Sequence, residues 1–282
     1  MNIREFRRYA SEQLYFLDVS EREQEIRILL EEYLNLSFTQ ILINSQAEIS
    51  EGKLEMLFKA VELRKKGVPL QYILGHWDFM GLKLAVGEGV LIPREDTATV
   101  VEMIASKIEN KHCVVADLCA GTGCISFALE SVLKNNLGIY AIELSDLAYR
   151  YLSQNKNNLK SKVNILQADI FKICSQFEDD FFDVVVSNPP YIKTEDINFL
   201  EREVLYEPRL ALDGGETGLC FYENICKLWV PKIKSSGILT FEIGQGQHDE
   251  VKSLMIKHGM SNVEFKKDIN GIIRGVMGIK TS

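Results

Sequence analysis

The second half of the chain alternates short apolar runs with helical segments, and this alternation constrains the fold more than any other feature. The runs predicted as strands span 113–118, 138–142, 163–166, 182–186 and 237–243. The segments predicted as helices span 124–133, 146–159, 219–230 and 249–258. Strands that alternate with helices in this way form a mostly parallel sheet with helices on both faces. Two final strands, near 263–265 and 271–279, are expected to pair antiparallel at one edge of this α/β sheet.

Residues 1 to about 70 are predicted to form a small domain of short helices. Ser20 followed by Glu23 is typical of a capping box, and apolar residues at helical spacing come after it. Ser37 and Gln40 indicate another helix start, and a further helix should end before Gly67. Charges alternate on the outer faces and no chemical motif is visible. We therefore expect a module for recognition or packing.

A β-hairpin is predicted to connect this domain to the sheet. Its strands are expected at 79–86 and 90–92, around Gly87-Glu88-Gly89. A helix then begins near Pro93, and its acidic first turn suits the positive end of the helix dipole. The predicted domains are a helical domain at 1–74, a hairpin linker at 75–96 and the sheet domain at 97–282.

Composition and charge argue against several classes of function. The 282 residues are 46% hydrophobic and 26% charged, as in an ordinary globular protein, and a net charge of -8 disfavours a partner held through phosphates. The six cysteines contain no C-x-x-C pair, so reduced thiols are expected rather than disulfides or a zinc site. No apolar run approaches membrane-spanning length and the N-terminus has no signal core, so we expect a cytoplasmic location.

The fourth predicted strand runs into Asn188-Pro189-Pro190-Tyr191. Two consecutive prolines lack N–H groups and hold the backbone extended, which leaves carbonyls free to accept hydrogen bonds. The Asn188 amide adds a further acceptor, and Tyr191 adds an aromatic face. This arrangement suits a planar group that carries an NH2. Taken alone, the segment is explained equally well as a strand that ends in a rigid turn.

A second candidate site follows the first strand of the sheet, at Cys119–Gly123. Small residues at a strand–helix turn let the backbone approach a ligand closely. Glu143 at the end of the next strand matches an acid that binds ribose hydroxyls, and Asp169-Ile170 could hold an adenine edge and face. Both G-x-G-x-x-G and the P-loop motif are absent, so a nucleoside cofactor without phosphates, S-adenosylmethionine, is expected. A generic turn is the competing interpretation of the loop alone.

Six segments spread over nearly the whole chain narrow the function further. They are Pro69-Leu-Gln-Tyr-Ile-Leu-Gly, Leu91-Ile-Pro-Arg-Glu-Asp-Thr, Asn188-Pro-Pro-Tyr-Ile, Glu207-Pro-Arg-Leu-Ala-Leu, Gly214-Gly-Glu-Thr-Gly-Leu and Glu242-Ile-Gly-Gln-Gly-Gln. In this order they resemble the HemK/PrmC family, the release-factor glutamine N5-methyltransferases. The resemblance implies a class I S-adenosylmethionine-dependent methyltransferase with a Rossmann-like sheet, an N-terminal helical domain and a connecting hairpin.

The resemblance also implies a reaction and a role for each motif. The methyl group of S-adenosylmethionine would pass to the side-chain amide nitrogen of the glutamine in the Gly-Gly-Gln tip of peptide chain release factors, with S-adenosylhomocysteine as product. Asn188 and the Pro189 carbonyl would accept from the amide hydrogens, and Pro190 and Tyr191 would sandwich the planar group. The helical domain would dock the release factor. The residues implied to bind the cofactor are Cys119, Ala120, Gly121, Thr122, Gly123, Glu143, Asp169, Ile170 and Asn188.

The cofactor loop departs from the family pattern at a few positions. Cys119 and Ala120 stand where the family commonly has glycine and threonine, and Glu143 stands where aspartate is usual. Glutamate is one methylene longer and can still reach a diol. Cysteine is small enough for a tight turn unless φ there must be positive. We interpret both changes as tolerated variation.

Several other functions remain open at this level. A ribosomal-protein glutamine methyltransferase would share most motifs, and an adenine N6 or guanine N2 methyltransferase also binds a planar NH2. The acidic charge argues against direct contact with nucleic acid. A non-enzymatic binding module is disfavoured by the intact Asn188–Tyr191 motif. The histidines are dispersed, so no metal site is expected, and a monomer is the default.

Overall fold

The chain forms two compact units in a computed structural model, which describes residues 1–108, 112–133 and 137–281. One unit comprises Met1–Gly75 together with Arg202–Tyr206, and the other comprises His76–Glu201 and Glu207–Ser282. Within the described residues, no helix combines the length and the apolar character that crossing a membrane requires.

The first unit is helical, as predicted. Its helices are α1 (Ile3–Gln13), α2 (Val19–Leu34), α3 (Phe38–Ile43), α4 (Glu51–Lys65) and α5 (Leu70–Leu74). Apolar residues at helical spacing meet in one core, which includes Phe6, Leu29 and Leu57. Ser37 and Gln40 form the predicted capping box at the start of α3. The predicted cap at Ser20 is wrong, because the Asp18 side chain accepts from the Glu21 N–H instead and starts α2 earlier.

The second unit begins with a hairpin of β1 (His76–Phe79) and β2 (Leu82–Ala85). The hairpin prediction was therefore right in kind but wrong in position. The turn lies at Met80-Gly81, where φ is 48° and 80°, and not at 87–89. Two positive φ values in succession match the twist of a tight hairpin. Gly81 adopts its value without strain, whereas Met80 is a non-glycine residue in the left-handed region. Residues 90–92 form no strand.

The predicted α/β sheet is confirmed. Its strands are β3 (Cys113–Leu118), β4 (Leu137–Glu143), β5 (Asn164–Gln167), β6 (Phe182–Ser187), β7 (Ile233–Glu242), β8 (Met260–Lys267) and β9 (Ile273–Lys280). They lie in the order β5-β4-β3-β6-β7-β9-β8. The first five strands in that order are parallel, and β9 pairs antiparallel with both β7 and β8. The antiparallel edge predicted for the last two strands is thus confirmed.

Helices cover both faces of this sheet. They are α6 (Ala98–Ile108), α7 (Cys124–Leu133), α8 (Asp146–Leu159), α9 (Ile170–Ile173), α10 (Arg209–Leu212), α11 (Cys220–Trp229) and α12 (His248–Lys257). Val184 and Val186 pack into one core cluster and Val185 into the other, because successive residues of a strand face opposite sides. The chain runs from β3 outward to β5, then returns to β6 on the other side of β3. This reversal opens a crevice at the carboxyl ends of β3 and β6, where ligands of such sheets bind.

Candidate functional site

A cavity lies at the carboxyl ends of these strands, with a volume of about 1070 Å³ including its open mouth. Several of the residues predicted for the site line it: Cys119, Ala120, Gly121, Thr122, Glu143, Asp169, Ile170, Asn188 and Pro190. Gly123, Pro189 and Tyr191 do not line this cavity. The crevice therefore brings together side chains from segments far apart in sequence.

The loop after β3 makes a tight turn into α7. The Ala120 N–H donates to the Ile142 carbonyl at 3.0 Å, and the Gly123 N–H donates to the Ala120 carbonyl at 2.7 Å. Gly123 has φ of 82°, and a Cβ there would lie 2.4 Å from the ring of Phe127. Gly123 thus serves close packing beneath the loop, whereas Gly121 lies on the cavity wall.

Cys119 adopts a backbone conformation that L-residues rarely adopt. Its φ is 61°, in the left-handed region that favours glycine. Tolerance of cysteine at this position was predicted only if φ need not be positive, and that condition fails. A side chain in this region costs about 1–2 kcal/mol, so the loop carries local strain at the cavity.

Glu143 connects the 119–123 loop to the end of β4. One carboxylate oxygen accepts from the Gly121 N–H and the other from the Ser145 N–H, both at 2.8 Å. Burial raises the pKa of this carboxyl, and the backbone N–H groups of Ser145, Gly121 and Leu144 oppose that rise. A carboxylate has about four lone-pair sites, so acceptor capacity remains for a ligand hydroxyl.

Asp169 and Ile170 lie next along the wall, at the start of α9. Asp169 is the N-cap of this helix, and its side chain accepts from the Phe171 N–H at 2.8 Å. Ile170 is buried, and its carbonyl accepts from the Trp229 indole N–H at 3.1 Å. The backbone here is held from both sides, so an acid and an apolar side chain are presented at fixed positions on the cavity.

The segment after β6 supplies the predicted amide. The Ser187 hydroxyl donates to the Leu118 carbonyl at 2.7 Å and joins β6 to β3 where both strands end. Asn188 is half-buried and its Nδ2 lies 3.4 Å from the Thr97 hydroxyl oxygen. Tyr191 packs partly against the core, and its carbonyl accepts from the Gln247 side chain at 3.0 Å. Burial raises the pKa of the Tyr191 phenol, which keeps it neutral.

Two polar residues that shape the cavity carried no predicted role. Asn155 on α8 is fully buried and donates to the carbonyls of Ala85 and Thr122, at 3.1 and 3.0 Å. Glu207 is also buried, accepts from the Ile92 N–H at 2.9 Å and pairs with Arg94. The only sequence signal for Glu207 was its place in a family motif.

Buried carboxyls lie beneath this cavity as well as on its wall. Asp117 accepts from the Ser126 hydroxyl at 2.6 Å and from the Ser126 N–H at 3.1 Å. Glu242 accepts from the Thr97 hydroxyl at 2.6 Å. Burial raises the pKa of each of these carboxyls to about 7. Both therefore change charge near neutral pH.

Comparison with known proteins gives consistent matches. Residues 5–75 match the family model described as PrmC N-terminal domain, and residues 94–216 match the model described as Methyltransferase small domain. A relative from Clostridium botulinum, "Release factor glutamine methyltransferase", is 37% identical over 251 residues, which are 88% of each chain. A relative of the same name from Thermodesulfovibrio yellowstonii is 38% identical over 241 residues, 83% of this chain and 84% of the other.

A solved structure extends the comparison to the fold. A methyltransferase from Pyrococcus furiosus superposes with a TM-score of 0.55 at 15% identity, and the match covers 83% of this chain and 100% of that one. The predicted class of fold, with its S-adenosylmethionine-dependent methyltransferase sheet, is thereby confirmed.

Proposed function

The chain belongs to the release factor glutamine methyltransferase family, and on that premise we propose that it methylates release factors. The methyl group of S-adenosylmethionine passes to the side-chain amide nitrogen, N5, of the glutamine in the Gly-Gly-Gln motif. The observation that carries this proposal is that Asn188 and the 119–122 loop line one cavity. An acceptor for an amide and a wall suited to a nucleoside therefore face the same space.

The cavity fits the cofactor by the chemistry of its wall. Glu143 keeps acceptor capacity for ribose hydroxyls, and Asp169 with Ile170 offers an acid beside an apolar surface. Leu144 and Ala148 add further apolar lining for an adenine face. S-adenosylmethionine supplies an electrophilic methyl group on a sulfonium when bound.

Asn188 is the residue to which we assign orientation of the substrate amide. An amide nitrogen is a poor nucleophile, because its lone pair is delocalised into the carbonyl. An acceptor that holds one of its hydrogens aligns the nitrogen and stabilises the positive charge that develops on it. Orientation of this kind contributes roughly 7–11 kcal/mol where the geometry is close to attack. Placed polar groups contribute a few more.

The remaining roles follow from the family resemblance. Pro190 lines the cavity and would contact one face of the planar group. We propose the Pro189 carbonyl as second acceptor and the Tyr191 ring as the other face, although neither residue lines the cavity. The helical unit is proposed to dock the release factor.

We also propose a monomer that acts in the cytoplasm on a protein substrate. The net charge of -8 supports a protein substrate over nucleic acid, since phosphate binding needs a basic surface. The location follows from the substrate, because release factors act in translation. Light scattering of the purified protein tests the monomer directly.

The test is transfer of label from S-adenosylmethionine to purified proteins and nucleic acids. The acceptors are an intact bacterial release factor, the same factor with Gln→Ala in its Gly-Gly-Gln tip, ribosomal protein, tRNA and DNA. Label on the intact release factor alone is the expected result. Label on ribosomal protein or nucleic acid instead would overturn the assigned substrate. Bound cofactor without any transfer would indicate a binding module.

A further inference from the structure

Glu242, at the end of β7, is a buried carboxylate beside the cavity. Its side chain is 1% exposed and does not line the cavity. Its Oε2 accepts from the Thr97 hydroxyl at 2.6 Å, and its backbone carbonyl accepts from the Tyr222 hydroxyl at 3.0 Å. Burial of an acid next to a site calls for an explanation, since packing alone favours an apolar residue there.

The direction of the hydrogen bonds around Glu242 is set by the chemistry of its partner. An ionised carboxylate only accepts, so the single hydroxyl hydrogen of Thr97 must point to Glu242. The Thr97 oxygen is then free only to accept. Its other neighbour is the Asn188 Nδ2, at 3.4 Å. The Asn188 amide also lowers the pKa of the Glu242 carboxyl, as a nearby NH2 donor does.

These hydrogen bonds fix the orientation of the Asn188 amide, which has an acceptor oxygen at one end and a donor NH2 group at the other. Its NH2 group is turned toward Thr97 and Glu242, so its oxygen is turned to the opposite side of the planar amide. Asn188 lines the cavity, and an oxygen is the end that can accept from a substrate NH2. If the Asn188 amide were reversed, its NH2 group would face the NH2 group of the substrate, and no hydrogen bond could form between them.

We propose that Glu242, acting through Thr97, is a positioning residue that sets which end of Asn188 faces the substrate nitrogen. This inference rests on the proposed function for its consequence in catalysis. The hydrogen-bond chain itself is a property of the protein without substrate. The two can therefore be tested separately.

The protonation state of Glu242 gives this arrangement a pH dependence. Burial raises the pKa of Glu242 to about 7. A protonated carboxyl can donate to Thr97, and the hydroxyl hydrogen is then free to turn to the Asn188 oxygen and reverse the amide. The rate constant kcat is thus expected to fall as pH falls through about 7. The charged or titratable groups that act on Glu242 from neighbouring segments are Asp96, Cys124, Tyr191, Tyr222 and Arg274.

These neighbouring groups do not titrate near pH 7. Burial raises the pKa of the Cys124 thiol to about 12. It also raises the pKa values of Tyr191 and Tyr222 above their usual range. Asp96 and Arg274 form an ion pair at 3.0 Å. The cation lowers the pKa of Glu242 and the Asp96 carboxyl raises it. Burial also raises the pKa of Asp117 to about 7, so persistence or absence of the acid limb in Glu242→Gln decides between the two carboxyls.

The first experiment measures kcat, KM and cofactor affinity for variants of the full-length enzyme. Glu242→Gln and Thr97→Val are each expected to lower kcat by about 10–100-fold, the range measured when a residue that orients a metal-binding side chain is removed. Cofactor affinity should stay unchanged. Thr97→Ser keeps the hydroxyl and should recover most of the activity that Thr97→Val loses. The acid limb of the wild-type pH profile should be absent in Glu242→Gln.

Other kinetic outcomes would overturn the inference. Equal losses in Thr97→Val and Thr97→Ser would mean that the hydroxyl is not the link. A loss in Glu242→Gln without a loss in Thr97→Val would mean that Glu242 acts directly on the substrate. Lower melting temperatures with unchanged kcat would mean that both residues only stabilise the fold.

A second experiment needs no substrate and decides the orientation even if release factor is not methylated. The Asn188 side-chain NH2 is observed by NMR in protein labelled with 15N-asparagine, and it is assigned by its absence in Asn188→Ala. Its hydrogens should exchange slowly above pH 7, and faster in Thr97→Val. Identical exchange in both proteins would overturn the inference. Failure of the wild-type enzyme to label release factor, with protected Asn188 hydrogens, would overturn only the proposed function.

Discussion

The two units of the chain both bury carboxylates, but they surround them with different partners. In the helical unit, Glu25 accepts from the Arg64 guanidinium at 2.8 Å, and Arg64, which is 0% exposed, also pairs with Glu203. In the sheet unit, Asp117 and Glu242 accept from hydroxyl groups of Ser126 and Thr97. Burial raises the pKa of Glu25 too, but there a guanidinium opposes the shift.

This difference separates a buried charge that holds a fold together from one that is available for function. A paired charge is held in its ionised form, and its loss leaves a partner without compensation. A buried carboxylate that has only neutral donors stays close to its titration point at neutral pH, as Asp117 and Glu242 do. Perturbed acids of the second kind cluster at functional sites, which agrees with their position beneath the cavity.

Arg64→Met should have the largest effect on stability and would test the first half of this comparison. Removing one member of a buried pair costs about 3–5 kcal/mol, since Glu25 would stay buried without its partner. Urea unfolding of the full chain, followed by circular dichroism, measures the loss. The double variant Arg64→Met with Glu25→Met should recover most of it.

Arg7→Met is a matched control for that experiment. Arg7 pairs with Glu23 at the same distance of 2.8 Å, but the two side chains are 35% and 50% exposed. Water screens this pair, so its loss should cost only about 0.2–1 kcal/mol. Equal effects at Arg7 and Arg64 would show that burial does not distinguish the two ion pairs.

Asn188→Ala, in the sheet unit, should lower activity without lowering stability. We expect kcat to fall by roughly 10²–10³, as for removal of one placed polar group, while cofactor affinity and melting temperature stay nearly unchanged. Single-turnover kinetics and cofactor titration separate these quantities. Asn224→Ala, at an exposed position on α11, is the control and should leave kcat unchanged. Weaker cofactor binding with an unchanged rate in the bound enzyme would show that Asn188 is not the substrate acceptor.

Asp117→Asn should flatten the dependence of stability on pH. The folded-state pKa of about 7 lies above the unfolded value of 3.8, so protonated Asp117 favours the folded state. Its contribution is complete below pH 3.8 and is lost as pH rises through about 7. The slope from one such group reaches about 1.4 kcal/mol per pH unit. Urea unfolding at several pH values should show a smaller slope in Asp117→Asn, and an unchanged slope would contradict this origin.

Substitutions at Cys119 should have moderate to small effects on stability and would sharpen the description of the cavity loop. Because φ is 61°, Cys119→Val should lower the free energy of unfolding by about 1–3 kcal/mol. Cys119→Gly should stay within about 1 kcal/mol of wild type, since relief of strain and added flexibility of the unfolded chain offset each other. Chemical unfolding measures both. Cys220→Val, at an exposed cysteine in α11, should change stability by less than about 0.5 kcal/mol.

Local sequence patterns determined the fold class and the position of the candidate residues along the strands. The alternation of apolar runs and helices predicted the parallel sheet, and the antiparallel edge at β8 and β9 was predicted correctly. Asn188 and Glu143 lie at strand ends, as expected, because a strand that ends at a fixed residue delivers the next one to the sheet edge. These inferences need only neighbours in sequence.

The tertiary structure alone decided which distant side chains meet. Asp18 rather than Ser20 caps α2, and Met80-Gly81 rather than 87–89 forms the hairpin turn. Packing and backbone twist select among several turn and cap signals that the sequence contains. The contacts of Asn155 with the cavity loop and of Glu242 with Thr97 span long separations in sequence. No periodicity encodes such a contact, since it exists only once the order of the strands places both partners at the same edge.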